Sequence, residues 1–358
     1  MSEPSESILR RRLRKFRRLK RGYYAFLIIA FAYALSFFLP LLISRTALVV
    51  KYDNAYYFPI LTYHAATEFG LEAIGEPNYR ELERTFAEDG NRNWVLLPLF
   101  PYGQNEPLLD LPGSPPHPPS AQHPFGTDDR GRDVLVRLAY GFNISMTFAV
   151  VVTLIGMTLG IALGALLGYS GGRIDMFGQR GIEVWSSLPF LYTIIIISSI
   201  VVPIYLPGRN QLMQPSFWLL VAILSAFGWM GITYYVRGEF YREKAKDYVG
   251  AAIATGVSER AIMFRHILPN ALTPVVSFAP FTIVGNIGAL VALDFLGFGL
   301  PAPTPSWGEM IGQGMENLSK WWLVSFPLGV LFLTLLLVVF IGEAVREAFD
   351  PKEYSRLR

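Results

Sequence analysis

Cysteine is absent from all 358 residues. That excludes disulfides, thiol nucleophiles and cysteine-bound metals. Charge is scarce as well: 16% of the residues are Asp, Glu, Lys or Arg, against about 25% in soluble domains. The four histidines (His64, His117, His123 and His266) show no metal-site spacing, so no metal ligands are expected. No GxxxxGK[ST] phosphate loop occurs, so the chain is not expected to bind and hydrolyse ATP itself. There is no His-Glu-x-x-His. The strongly apolar stretches hold almost no ionisable residue, since Glu183, Asp294 and Glu343 all stand at their ends. A charge at the bilayer centre costs at least ~2.5–3.5 kcal/mol and is kept for ion or proton work. Its absence argues against a proton- or sodium-coupled carrier and against a membrane enzyme. Energy for any transport must then come from outside the chain.

What the chain does hold is apolar sequence, 52% of it, gathered into long blocks. A helix needs roughly 20 apolar residues to cross a bilayer core, and six blocks meet that length. The first covers about 25–44 within residues 23–44; the others are about 146–169, 184–204, 217–236, 272–293 and 322–341. The expected fold is therefore an all-α integral membrane protein with six transmembrane helices. The fifth block is interrupted by Pro274, Pro280 and Asn286; such residues are tolerated where neighbouring helices satisfy the freed backbone groups. The second carries Gly156, Gly160, Gly164 and Gly168 at four-residue intervals, a continuous small ridge suited to close helix packing or to lining a pathway.

Basic residues set the orientation. Nine of the twelve residues from Arg10 to Arg21 are Lys or Arg, so residues 1–22 are expected in the cytoplasm. Counting spans places 237–271 there too, with Arg237, Arg242, Lys244, Lys246, Arg260 and Arg265. The tail 347–358 returns inside with Lys352, Arg356 and Arg358. The first apolar block is about twice too long for a signal-peptide core and no small-residue cleavage site follows, so it reads as a retained anchor. Residues 45–140 then form a large extracytoplasmic insert, rich in Tyr, Phe and Pro. Within it 50–100 suits a small folded lobe and 101–125 an irregular connection. Contact with a soluble partner and simple packing over helix ends both fit such an insert.

The stretch 237–271 is far longer than packed helices need for a connection. Asp247 is placed to cap a helix, Gly250, Ala251 and Ala252 supply small side chains, and Gly256 is placed to end that helix. Ser258 would cap a second helix, closed by Pro269 and Asn270. A helix with little bulk on one side can enter another protein's cleft closely. The spacing of Gly250-Ala251-Ala252, Gly256 and His266-x-Leu268-Pro269 resembles the coupling loop of permease subunits in binding-protein-dependent ABC importers. The departure is Gly250, where that family's motif has Glu.

Further stretches resemble the C-type permeases of dipeptide and oligopeptide importers: His123 to Gly141, Asp294 to Glu309, and Gly342 to Pro351. In the first, Gly126 and Gly131 permit tight turns, Asp128 or Asp129 can cap, and Asp133 can open a helix. Its Asp and Arg spacing does not suit calcium. The aromatic insert, with Lys51 to Pro59, is similar to the branch serving peptide and microcin C uptake. The resemblance implies the type-1 importer permease fold over 141–346 and alternating access across the inner membrane. Asp247, Gly250, Ala251, Ala252, Gly256, His266, Leu268 and Pro269 would form the coupling loop. Implied partners are a homologous companion permease, two ATPase subunits or one fused ATPase, and an extracytoplasmic substrate-binding protein, together with membrane lipid and without nucleic acid. ATP and magnesium would reside in the ATPase partners, with no cofactor in this chain. Nickel is an alternative cargo within the same class.

Overall fold

The computed structural model describes residues 8–88, 92–205 and 216–349. The basic tail from Lys352 to Arg358, the first seven residues, and the end of the run Gly342 to Pro351 lie outside them. The chain forms two compact units, one from Met1–Ala30, Ser145–Pro301 and Phe332–Arg358, the other from Phe31–Ile144 and Ala302–Leu331.

Among the described residues four helices are long and apolar enough to cross a membrane. The first unit opens with α1 (Ile8–Arg18) and α2 (Lys20–Ser36). Helix α2 has 17 residues, short of the 20 or so a bilayer core needs. The expected first span is thus interrupted: the chain turns at Phe37 and Phe38 before a further turn of helix, Leu39–Leu42, with Pro40 in its first positions.

The insert, in the second unit, adds strands to what was expected to be wholly helical. Strand β1 (Val49–Tyr52) lies between β2 (Ala55–Tyr57) and β3 (Trp94–Leu96), antiparallel to both, with Val50 opposite Tyr57 and Val95. Asp53 and Asn54, at φ 47° and 60°, make the two-residue turn that suits strand twist. Helix α3 (Tyr79–Glu88) lays Tyr79, Leu82 and Phe86 on a core with Ala47, Val50, Phe69 and Val95. β-branched and aromatic residues fit a pleated surface, which explains strands in this Val- and Tyr-rich stretch. Between Leu97 and Asp133 no helix or strand is formed.

Helix α4 (Val134–Ser170) is 37 residues long, starting well before the expected second span. Asp133 sets its start: the carboxylate Oδ1 accepts from Val136 N at 3.0 Å, an N-cap bond. Helices α5 (Gly172–Ser186) and α6 (Phe190–Tyr205) follow. The expected third span straddles their junction, where the chain bends by 75°. Pro189 is the reason, because it disfavours helical backbone at Leu188. Beyond Ile197 the side chains of that span, and the link 206–215, lie outside the description. Helix α7 runs Phe217–Lys244, about two turns past the expected fourth span.

Helix α8 (Asp247–Ala254) is followed by α9 (Glu259–Phe295). The latter overturns the expectation that Pro269 and Asn270 close a separate helix. Residues Ile262–Ile267 form a wide π turn, and Leu268 N donates to Met263 O. The widening precedes Pro269, whose ring would otherwise press on a carbonyl one turn back, so the helix continues. In the second unit α10 (Trp307–Glu316) buries Trp307, whose Nε1 donates to Leu138 O at 3.1 Å. Helix α11 (Trp321–Phe349) ends the described chain.

Candidate functional site

Helix α8 shows how a short helix can be held firmly and still offer a slim face. A helix turns about 100° per residue, so its eight residues cannot all face one way. Val249 and Ala252 point inward, 1% and 8% exposed, onto a core with Val236 and Phe240 of α7 and Ile262, Ile267, Ala271 and Val275 of α9. Fully burying side chains such as Val249 or Ile267 stabilises by about 1.5–3 kcal/mol apiece. Gly250, Ala251 and Ala254 are exposed, and nothing lies within 4 Å of a side chain built on Gly250. Ala252 therefore does not share the open face with Gly250 and Ala251. Three successive residues cannot lie on one stripe of an α-helix, and the i, i+3 partner of Val249 takes the inner side. The bulky member of the open face is Ile253, 59% exposed, which the small-residue pattern did not single out.

Asp247 is not the cap. Lys246 holds that place with extended backbone and no side-chain cap bond, and Asp247 is the first helical residue. There its charge still complements the positive end of the helix. Gly256, at φ 78°, ends the helix in a left-handed conformation. Val257 N donates to Ala252 O at 3.1 Å and Gly256 N to Ile253 O at 3.0 Å, the paired bonds of a Schellman closure. Ser258 occupies the N-cap of the next helix, without a cap bond from its side chain.

A polar knot ties α8 to its neighbours, and its central residue, Tyr248, belongs to no motif that marked it in advance. Its hydroxyl donates to Glu243 Oε2 of α7 at 2.8 Å, and His266 O lies 3.2 Å away. Asn270 Nδ2 donates to the same hydroxyl at 3.2 Å and to His266 O at 3.0 Å. Lys246 Nζ completes the set by donating to Glu243 Oε1 at 2.6 Å. Glu243 is 4% exposed, so these donors take the place of water around its carboxylate oxygens. Burial pushes the Tyr248 phenol above its ordinary pKa, and Glu243 acts in the same direction, so the phenol keeps the proton it donates. His266 thus takes part through its backbone carbonyl. Leu268 packs on the apolar core, and Pro269 is exposed beyond it. Of the expected coupling residues, Gly250, Ala251 and Gly256 come together on the outside of the loop, while Ala252, His266 and Leu268 hold it from within.

The glycine ridge of α4 faces α7. A side chain on Gly160 would meet Ile232 and Trp229 O at 2.8 Å, one on Gly164 would meet Thr233 O and Val236 at 2.7 Å, and one on Gly168 would meet Phe240 at 2.6 Å. Gly156 lies against Gly228 with more room, 3.4 Å. These positions are contact surface between helices, which lets the two backbones approach closely. A neighbouring tie comes from Asp175 of α5, whose carboxylate accepts from Arg237 Nη2 at 2.6 Å and from Tyr241 at 2.9 Å.

In the second unit two separate stretches of the sequence meet. Arg137 Nη2 donates to Glu309 Oε2 at 2.6 Å, and Arg132 donates to Glu309 Oε1 at 3.3 Å and through Nε to Asp128 Oδ2 at 2.7 Å. Arg137 and Asp128 are fully buried. His123 Nδ1 and Asp133 Oδ2 pair at 2.7 Å beside them, and Gly126 and Gly131 turn with φ 71° and 75°. The partners Arg137 and Glu309 lie 172 residues apart, and no local pattern announced the pair.

Residues 160–353 match the family model described as binding-protein-dependent transport system inner membrane component. The chain is 41% identical over 341 residues to the inner membrane ABC transporter permease protein YejE of Escherichia coli, covering 95% of this chain and 96% of that one. It is 34% identical over 373 residues to the peptidoglycan transport system permease protein YejE of Agrobacterium fabrum, covering 97% and 94%. With the oligopeptide transport system permease protein OppC of Haemophilus influenzae it shares 38% over 232 residues, covering 64% and 71%. Among solved structures, an inward-facing native crystal form of the MetNI methionine ABC transporter is similar in fold. Its TM-score is 0.50 at 17% identity, covering 60% of this chain and 97% of that one. The helices, the apolar spans and these matches agree: the chain belongs to the binding-protein-dependent transport system inner membrane components, the ABC importer permeases.

Proposed function

We propose that this permease forms one half of a translocation pathway for peptides or peptide-like compounds and that α8 is the element on which a separate ATPase acts. The observation carrying the second part is the geometry of α8. Its outer face is Gly250, Ala251, Ala254 and one knob, Ile253, while Val249, Ala252 and Tyr248 bind it to α7 and α9. A helix gripped from inside and slim outside can seat in a partner's cleft and move the spans with it. Coupling of this kind needs a two-state element that both sites bias, here the spans attached to α8. Peptide cargo is supported by the relatives, whose names include oligopeptide and peptidoglycan transport.

On this reading the chain crosses the inner membrane six times, with α2 and the α5–α6 pair counted as spans. Both termini and α8 are cytoplasmic, and 45–140 lies outside. A homologous companion permease completes the pathway, and an extracytoplasmic binding protein delivers cargo. ATP and magnesium are held by two ATPase subunits or one fused ATPase, and this chain performs no catalysis.

The test is Gly250→Trp. Nothing within 4 Å obstructs a side chain there, so the chain itself should fold and insert. The expected result is loss of ATPase co-purification and of substrate-stimulated ATP turnover in the reconstituted complex. Normal assembly with normal transport would overturn the docking assignment. Gly256→Trp is a poorer probe, because φ 78° strains any side chain. Mass spectrometry of the ligand held by the cognate binding protein tests the cargo separately.

A further inference from the structure

Helix α1 carries seven cations in eleven residues and no carboxylate. Glu3 and Glu6 precede it in the chain, and the first acidic residue after it is Asp53. Arg11, Arg14, Lys15 and Arg18 stand at i, i+3, i+4 and i+7 and line one shallow cleft of about 210 Å³. That spacing puts them on a single stripe, where like charges repel one another. Beside the stripe α1 is anchored, and Lys15 takes part in both. Arg12 Nη1 donates to Thr273 Oγ1 at 3.2 Å and its guanidinium lies 5.0 Å over the Phe349 ring, while Lys15 Nζ donates to Glu347 O at 2.8 Å. Phe16 packs edge-on against Tyr23 and Phe26 at 6.2 and 5.9 Å.

With α2 taken as a span, as proposed above, the C-terminal end of the stripe stands nearest the headgroup layer and the rest extends beyond it. Leu19 alone separates α1 from α2, and the Tyr23–Tyr24 pair opens the apolar run as interfacial aromatics do. From Arg18 to Tyr23 is about 8 Å of helix, comparable to the thickness of one headgroup layer. A cleft of this size suits a phosphate head better than a drug-sized molecule.

We propose that the Arg11–Arg14–Lys15–Arg18 stripe binds the phosphate of an anionic membrane phospholipid, and that the bound lipid steadies α1 against α9 and α11. The occupant is a lipid rather than an acidic protein face because the stripe runs directly into a membrane helix and is flanked by interfacial aromatics. Each cation near an anionic surface strengthens association by roughly fivefold, so removing three weakens it by about a hundredfold. The proposal rests on the reading of α2 as a membrane span, and does not depend on α8 docking or on the cargo.

The experiment uses the purified importer complex in detergent, titrated with short-chain phosphatidylglycerol or phosphatidylcholine and read by native mass spectrometry. The wild type should retain phosphatidylglycerol preferentially, and an excess of inorganic phosphate should not displace it. Arg11→Gln, Arg14→Gln and Arg18→Gln combined should abolish the preference while leaving ATPase co-purification intact. The same three changed to Lys should retain it, since point charges suffice for a lipid surface. An unchanged preference in the Gln variant would overturn the proposal. So would displacement by free phosphate, or a Gln variant that keeps its lipid and loses the ATPase, which would assign the stripe to an acidic protein face.

Discussion

Adding one methyl group at a time to the α4 ridge should produce a graded response that the packing distances already order. At Gly156 a Cβ would sit 3.4 Å from Gly228 backbone, close to ordinary contact, so Gly156→Ala gains helix propensity of up to about 1 kcal/mol with little steric loss. At Gly164 the Cβ would lie 2.7 Å from both Thr233 O and Val236 Cβ, so α4 and α7 must separate by several tenths of an ångström. Overpacking of this kind costs about 1–3 kcal/mol. Because one obstacle is a backbone carbonyl that no rotamer change can move, the upper half of that range applies. After the propensity gain, Gly164→Ala should be destabilised by about 1–2 kcal/mol. Gly160→Ala and Gly168→Ala should behave like Gly164→Ala, since Trp229 O and Arg237 O stand 2.8 Å from them. Val236→Ala combined with Gly164→Ala should restore little of the loss, since it removes only Cγ1 at 3.1 Å while the Val236 Cβ and the Thr233 carbonyl remain at 2.7 Å. The assay is denaturant titration of the purified chain in bicelles, with helix content as the signal. Gly164→Ala proving as stable as Gly156→Ala would refute the claim that these glycines are contact surface.

Three other outcomes follow from the same geometry. Because the chain has no native cysteine, Ala251→Cys and Ala252→Cys can be compared without background: a membrane-impermeant thiol reagent should label position 251 rapidly from the cytoplasmic face, and position 252, 8% exposed, at least tenfold more slowly. Equal rates would refute the assigned helix face, and labelling of 251 from outside would refute the topology. Tyr248→Phe removes the hydroxyl linking Glu243, Asn270 and the His266 carbonyl. Leaving Glu243 short of a donor costs about 1–3 kcal/mol, and the reconstituted complex should assemble with its ATPase yet lose substrate stimulation of ATP turnover. Arg137→Gln leaves Glu309 without its shortest ion pair, although Arg132 still faces both Glu309 and Asp128, so the loss should fall at the lower end of the about 3–5 kcal/mol for breaking a buried pair; membrane accumulation of the chain should fall, and unaltered yield would refute a structural role.

Four of the six expected membrane helices were legible because lipid imposes a coarse rule, length times hydrophobicity, that needs no knowledge of neighbours; the first, interrupted at Phe37, and the third, bent at Pro189, were not. Nor were the ends of those four. Helix α4 begins at Val134 because Asp133 caps it, in a stretch of mixed composition where a hydropathy window sees little. Helix α9 passes through Pro269 because a π turn opens ahead of it, and proline alone reads as a stop. The lobe's strands are three and four residues long, too short for alternation to stand out from aromatic noise.

The coupling segment divides along the same line, between what one helix determines and what two or more must share. Gly256 could be placed because a left-handed closure is a local demand that glycine meets. The inward turn of Ala252 was also within reach, since three adjacent residues cannot share a helical stripe; counting 100° per residue from a buried Val249 puts Ala252, not Ala251, on the inside. Tyr248 was beyond reach, because its value lies in Glu243, His266 and Asn270 converging from two other helices. The Arg137–Glu309 pair is the extreme case. Each partner sits in a stretch recognisable by itself, yet only the folded second unit shows that one stretch neutralises the other. A sequence therefore discloses the surface a loop can offer sooner than the ties that let it transmit force, and it is the ties that mutation of Tyr248 will test.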